Sequence, residues 1–301
     1  MGPLFALWII WGSTYMGIAL VVKSMPPLLG GGSRFAVSAL LLGTVVLIFR
    51  GPQAFRITWA QFRGAAFMGV TILSVGIGIV SLAVRYVPSG IAALIVSVLP
   101  LWIIFFRLHA GDRPSRLTLM GVAVGLTGLV LMLLPGGTNP VNGASNIQVA
   151  LWSLAIAVGS FSWTFFSWRA TRYEQPKDPL MTALIELATA GVVLTVVGAA
   201  IGERWDLESV TQESWAGWVY LVFASAIAYA AFVWLITNAP MSLVSTYAYV
   251  NPVVAVFLGA LILNEAITSD VVIGLSIVLG GVVLVVSGER RTRLKLNEQP
   301  Q

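Results

Sequence analysis

The chain has 301 residues, 58% hydrophobic and 10% charged, with a mean hydropathy of +0.91 and a formal net charge of +5. Soluble domains carry about 25% charged residues, so this composition excludes a soluble fold and predicts an all-α, polytopic membrane protein. With no cysteine and a single histidine, His109, disulfides, thiolate metal sites and a histidine pair for zinc are excluded, and no metal or cofactor is expected.

The chain opens Met-Gly-Pro and turns apolar at once. It shows no basic n-region and no small-residue cleavage site, so a removed signal peptide is not expected. A spanning helix needs about 20 mostly apolar residues. Ten such runs lie near 4–22, 28–49, 64–83, 89–107, 115–134, 148–168, 180–201, 214–236, 242–263 and 268–287. Turn-forming clusters separate them: Pro26-Pro27, Arg50-Gly51-Pro52, Pro88-Ser89-Gly90, Gly111 to Pro114, Pro135-Gly136-Gly137, Pro176 to Pro179 and Pro240. The connections are short, which leaves no room for an extramembrane domain and places the work of the chain inside the bilayer.

Lys and Arg set the orientation, because they collect in cytoplasmic loops. With a cytoplasmic N-terminus, thirteen basic residues fall inside (Arg50, Arg56, Arg63, Arg107, Arg113, Arg116, Arg169, Arg172, Lys177, Arg290, Arg291, Arg293, Lys295) and three outside (Lys23, Arg85, Arg204). The bias predicts both termini in the cytoplasm. The basic end of the chain then reads as an inside anchor, and the positive charge points to the bilayer rather than to nucleic acid.

An internal repeat runs through the sequence. A shift of 152 takes Trp11 to Trp163, Pro27 to Pro179, Pro88 to Pro240, Pro100 to Pro252 and Gly128 to Gly280. It also takes Arg34, a basic residue within a span, to Glu186, a membrane carboxylate. The expected units are residues 1–147, residues 148–290, and a basic cytoplasmic tail over 291–301. Five spans per half is an odd number, so the halves enter the membrane from opposite sides. Inverted-topology repeats of this kind are how many secondary transporters achieve alternating access.

Three stretches carry a family resemblance: LWIIWGSTYMGI in the first span, VPSGIAALIVSVLP at the fourth, and SLVSTYAYVNPVVAVFLGALILNE at the ninth. The chain resembles, over its whole length, the EamA-type branch of the drug/metabolite transporter superfamily, and within it the YddG/YedA-like bacterial amino-acid and metabolite exporters. The resemblance implies a bacterial inner-membrane exporter that works as a monomer. It also implies a central cavity between the halves and peripheral fifth and tenth spans. One departure stands out: Glu265 closes the ninth span, but its equivalent in the first half is Arg113.

The candidate substrate-cavity residues follow from polar and aromatic groups at depth. Trp11 and Tyr15 share a face of the first span, with Ser13 and Thr14 beside it; an aromatic belt at the interface is the structural alternative. Ser74 and Gly78 in the third span are candidates for close, sliding packing. Trp163 stands among hydroxyls that include Ser167, which can equally serve as interhelical glue. Ser97, then Thr246, Tyr247, Tyr249 and Asn251, precede Pro100 and Pro252, the two expected helix-break or gating positions, where proline frees a backbone carbonyl. Tyr229 is a further candidate. Arg34 and Glu186 are expected to face protein or water, since charge inside a span is costly. Counted from their own ends they lie about 10 Å apart in depth, so each is expected to serve its own side. Glu186 is the better proton site, and snorkelling is the alternative for Arg34.

No enzyme signature is present: zinc proteases need a His pair, and no span has an interior Asp for an aspartyl protease. The expected function is secondary export of amino acids, neutral and aromatic ones included, and related small metabolites by alternating access. A multidrug or cationic-compound exporter and a non-transporting membrane scaffold are the alternatives.

Overall fold

A computed structural model describes residues 2–109, 111, 115–133, 141, 143–238 and 247–297. Within these ranges the side chains at 100, 107, 129, 130, 132, 133, 171, 236, 237, 248, 249 and 289–297 are left undescribed. Each expected span contains a helix among its described residues. We number them α1 (Gly2–Val21), α2 (Pro27–Arg50), α3 (Trp59–Ala83), α4 (Ser89–Val96 continued by Leu99–His109), α5 (Arg116–Leu133), α6 (Asn146–Arg169), α7 (Pro179–Ala200), α8 (Gln212–Asn238), α9 (Tyr247–Leu263) and α10 (Ser269–Asn297). Eight of them are long and apolar enough to cross a membrane, while α5 and α9 contribute the shorter apolar stretches Arg116–Gly128 and Val250–Leu263. No strand occurs among the described residues. α10 does not stop with its apolar run at 287 but stays helical through the basic segment to Asn297.

The helix starts are written in the sequence. Pro27 and Pro179 occupy first-turn positions, where a missing N–H costs nothing. Thr58 with Gln61, and Ser145 with Gln148, close capping boxes at α3 and α6. Gly51 ends α2 at φ 74, a backbone region that glycine adopts without strain.

The halves pack as an inverted pair. α2 lies on α7, α4 on α9 and α5 on α10, each helix against its own equivalent. The remaining principal contacts come in matched sets: α1 with α8 and α6 with α3, α1 with α9 and α6 with α4, α2 with α8 and α7 with α3. We call the end of the bundle where α1 begins the near end and the other the far end. α6 starts at the far end, opposite to α1, so the second half is inverted relative to the first.

Close backbone approaches fix these crossings. A Cβ at Gly32 or Gly191 would meet backbone of the facing helix in the α2–α7 crossing, and one at Gly121 or Gly281 would do so in α5–α10. At the far end two carboxylates join the halves. Glu203, just past α7, accepts from Leu28 N and Leu29 N (3.0 and 2.8 Å to Oε2) at the start of α2. Glu265, just past α9, accepts from Ser89 N (2.8 Å) and Gly90 N (3.3 Å) at the start of α4. Both satisfy amides that a helix start leaves without intrahelical partners. At the near end Asp178 caps its own helix, accepting from Leu180 N at 2.9 Å, and meets Arg50 Nε at 3.6 Å.

The two equivalent prolines differ. α4 is interrupted at residues 97–98, just before Pro100, and Ser97 Oγ donates to Leu94 O at 2.7 Å there. α9 runs unbroken through Pro252. α3 widens into a π-helix over Gly69–Ile77, the kind of local expansion that recurs at functional sites.

Candidate substrate cavity

A cavity of about 80 Å³ lies between the halves. Among the described residues, every helix except α5 and α10 contributes to its wall. Trp11, Thr14 and Tyr15 come from α1, Arg34 and Phe35 from α2, Leu73, Gly76 and Ile77 from α3, and Val96 and Leu99 from the interrupted part of α4. The second half supplies Ser160 and Trp163 from α6, Leu187 from α7, Ser225 and Tyr229 from α8, and Tyr247 and Asn251 from α9.

Toward the near end the wall is aromatic. The Trp11 ring centroid stands 5.8 Å from Trp163, 4.8 Å from Phe232 and 5.0 Å from Tyr247, with edge-to-face geometry to Trp163 and Tyr247. Aromatic pairs at such distances hold one another beyond simple burial. Asn251, with its amide oriented to suit its neighbours, donates to Trp8 O and Tyr247 O, both at 3.1 Å, and so ties α9 to α1. Those bonds occupy its two N–H groups.

The polar wall lies deeper. Arg34 is 3% exposed, with Nη1 donating to Ser225 Oγ at 3.3 Å and the guanidinium carbon 4.4 Å from the Phe35 ring centroid. It does not snorkel. Ser160 is also 3% exposed, and its hydroxyl, on the cavity wall, has no hydrogen-bond partner among the described residues. A buried hydroxyl left unpaired costs free energy unless something else binds it. Glu186 is 4% exposed and is not on the wall. Tyr229 OH donates to its carboxylate and stands between it and the cavity. Arg34 and Glu186 form no ion pair; instead each is held by α8, through Ser225 and Tyr229, which are one turn apart.

Of the residues singled out from sequence, Trp11, Thr14, Tyr15, Arg34, Trp163, Tyr229, Tyr247 and Asn251 meet at this cavity. Others turn away from it. Ser13 Oγ donates to Ile9 O (2.7 Å) and shares a hydrogen bond with Tyr220 on α8. Ser74 Oγ donates within α3, to Gly69 O at 3.3 Å. Gly78 packs toward Leu194 of α7. Ser97 caps the break in α4, and the half-buried Ser167 lies off the wall with its hydroxyl oxygen buried and without a partner among the described residues. Thr246 lies outside the described residues, as do the side chains of Tyr249 and Pro100. Ser160 entered only as one of the hydroxyls around Trp163, while Ser225 on the wall and Phe232, which packs against Trp11, were missed. Ser225 could have been found four residues before Tyr229, on the same helix face.

A model of the EamA-like transporter family matches this sequence twice, over residues 2–134 and 150–287. The chain belongs to the EamA-like transporter family. It is a membrane transporter and not an enzyme, built from two copies of the family's unit. It is 37% identical, over 96% of its length and 90% of the relative's, to YedA of Escherichia coli (strain K12), described as an uncharacterized inner membrane transporter. Protein PecM of Dickeya dadantii is 26% identical over 96% of this chain and 94% of its own. YvbV of Bacillus subtilis, described as an uncharacterized transporter, is 23% identical over 92% and 88%. One crystal structure of a protein 20% identical to this transporter superposes with a TM-score of 0.66, covering 96% of this chain and 97% of that one; it shares the fold.

Proposed function

We propose that this transporter exports amino acids, neutral and aromatic ones included, and related small metabolites across the bacterial inner membrane by alternating access. The N- and C-termini are then cytoplasmic, the near end is the cytoplasmic end, and one chain is the working unit. The observation that carries the reading is the sign of charge on the cavity wall. Arg34 lines the cavity opposite an aromatic cluster, whereas Glu186 is screened behind Tyr229. A cationic drug calls for the reverse, an acid facing aromatic rings. A buried guanidinium pairs with a carboxylate through strong, charge-assisted hydrogen bonds. Ser160 supplies a further hydroxyl with no partner among the described residues, and Trp11, Trp163 and Tyr247, with Phe232 packed against Trp11, receive an apolar or aromatic side chain.

Small-molecule pockets are commonly about 300–1,000 Å³, so a cavity of about 80 Å³ is contracted. It must widen toward one side or the other to admit a substrate. The test is counterflow in proteoliposomes containing the purified transporter, with labelled L-leucine inside and a panel of amino acids and cationic dyes outside. Exchange with neutral and aromatic amino acids is expected. Flux of the dyes alone would favour the drug-exporter alternative, and no flux of any compound above empty vesicles would sink the reading.

A further inference from the structure

We propose that Glu186 is a proton-binding site whose occupancy is coupled to substrate at Arg34 through α8, so that one proton enters for each amino acid exported. The inference rests on the export reading above and adds its energy source.

Glu186 sits in the cytoplasmic half of α7, buried, with its hydrogen bond coming from Tyr229 of α8. The elements packed on α7 offer it no cation. α2 brings Arg34, which is bound to Ser225. α3 carries no ionisable residue over Gly69–Ala83, and its Arg63 is exposed near its start. α8 brings Tyr229 and, farther along, Tyr220; on α7 itself Asp178 is engaged at the helix start with Arg50. A carboxylate buried without a cation is costly. The group therefore holds a proton while it is sealed and can lose it only when water reaches it.

Tyr229 is the seal, and it is also cavity wall. Substrate carboxylate at Arg34 must compete with Ser225 for the guanidinium. Ser225 and Tyr229 share one face of α8, so a shift of that helix that frees Arg34 also draws Tyr229 off Glu186. The proton then leaves to the cytoplasm as substrate is taken, and a proton from the outer side replaces it once the substrate has gone. The substrate is a zwitterion, so each cycle carries one positive charge inward, and both the pH gradient and the membrane potential drive export.

The test uses the full-length protein in liposomes with an internal pH dye and labelled L-leucine. A one-unit pH gradient supports about a tenfold accumulation ratio for a single proton. Wild type is expected to accumulate L-leucine against its gradient, with proton movement that depends on the amino acid. Glu186→Gln is expected to lose both accumulation and the linked proton movement, and any L-leucine counterflow it retains is expected to lose the pH dependence of the wild type. Tyr229→Phe keeps the carboxyl and is expected to retain gradient-driven flux with a displaced pH profile. Dicyclohexylcarbodiimide, which attacks protonated carboxyls in apolar surroundings, is expected to modify Glu186 in wild type and to be slowed by L-leucine, a readout that holds even if Glu186→Gln fails to fold. Accumulation by Glu186→Gln equal to wild type, no proton movement with wild-type counterflow, or no carbodiimide modification of Glu186 overturns the inference while leaving the export reading standing. Absence of wild-type counterflow overturns both.

Discussion

α3 and α8 occupy equivalent places in the two halves. In the first half α3 widens into a π-helix and meets the cavity with Leu73, Gly76 and Ile77. In the second, α8 is a regular α-helix and meets it with Ser225 and Tyr229. The shift of 152 maps Ser225 onto Leu73 and Tyr229 onto Ile77. The two hydroxyls that hold the two membrane charges therefore both belong to one helix, and their equivalents are aliphatic. Duplication supplied a symmetric frame, and the polar chemistry came from breaking that symmetry along a single face.

The largest expected effect tests whether that face serves the substrate. Arg34→Gln removes a charge-assisted contact of about 1.5–3 kcal/mol, and the KM for L-leucine counterflow is expected to rise by roughly tenfold to a hundredfold. An unchanged KM would mean that the polar face of α8 holds Arg34 only for packing. Next comes the pair of equivalent positions. Ser225→Ala frees the Arg34 guanidinium from a competing acceptor worth about 1 kcal/mol, and is expected to lower the KM severalfold. Leu73→Ser, its equivalent on α3, is expected to leave the KM near wild type and to lower the thermal unfolding temperature instead, because it buries a hydroxyl in an apolar wall.

The smallest effects compare the two ends of the bundle. Glu265→Ala strips the cap from α4 at the far end, and a lost cap costs about 1 kcal/mol. Arg50→Ala at the near end removes an ion pair whose arginine is largely exposed, worth about 0–1 kcal/mol. Unfolding of the two variants in detergent, side by side, is expected to rank Glu265→Ala as the less stable. The reverse ranking would show that the near end carries more of the cohesion between halves.

Much of this was legible in the sequence. Each span is an apolar run of about helix-spanning length between turn residues, and that signal is additive over many positions. Trp11, Trp163 and Tyr247 were legible because large aromatic groups with polar atoms at membrane depth are uncommon. The orientation of small hydroxyls was not. Ser13 and Ser97 satisfy themselves on carbonyls of their own helices, a local choice with no sequence signature. Phe232 was missed because a helix that is apolar all round gives no moment to say which face turns inward. The joint anchoring of Arg34 and Glu186 on α8 was also hidden. Depth counted along two separate helices carries no information about a third that touches both.

Glu203 and Glu265 have a consequence for how the protein is made. They cap α2 and α4, yet they emerge from the ribosome more than 170 residues after the amides they serve. Until then those two helix ends are satisfied only by water or lipid headgroups. Two of the first five helices, α2 and α4, thus reach the bilayer with their starts uncapped, and those starts are completed only when the second half arrives. A product truncated before Glu203 lacks both caps and leaves those amides to water or headgroups.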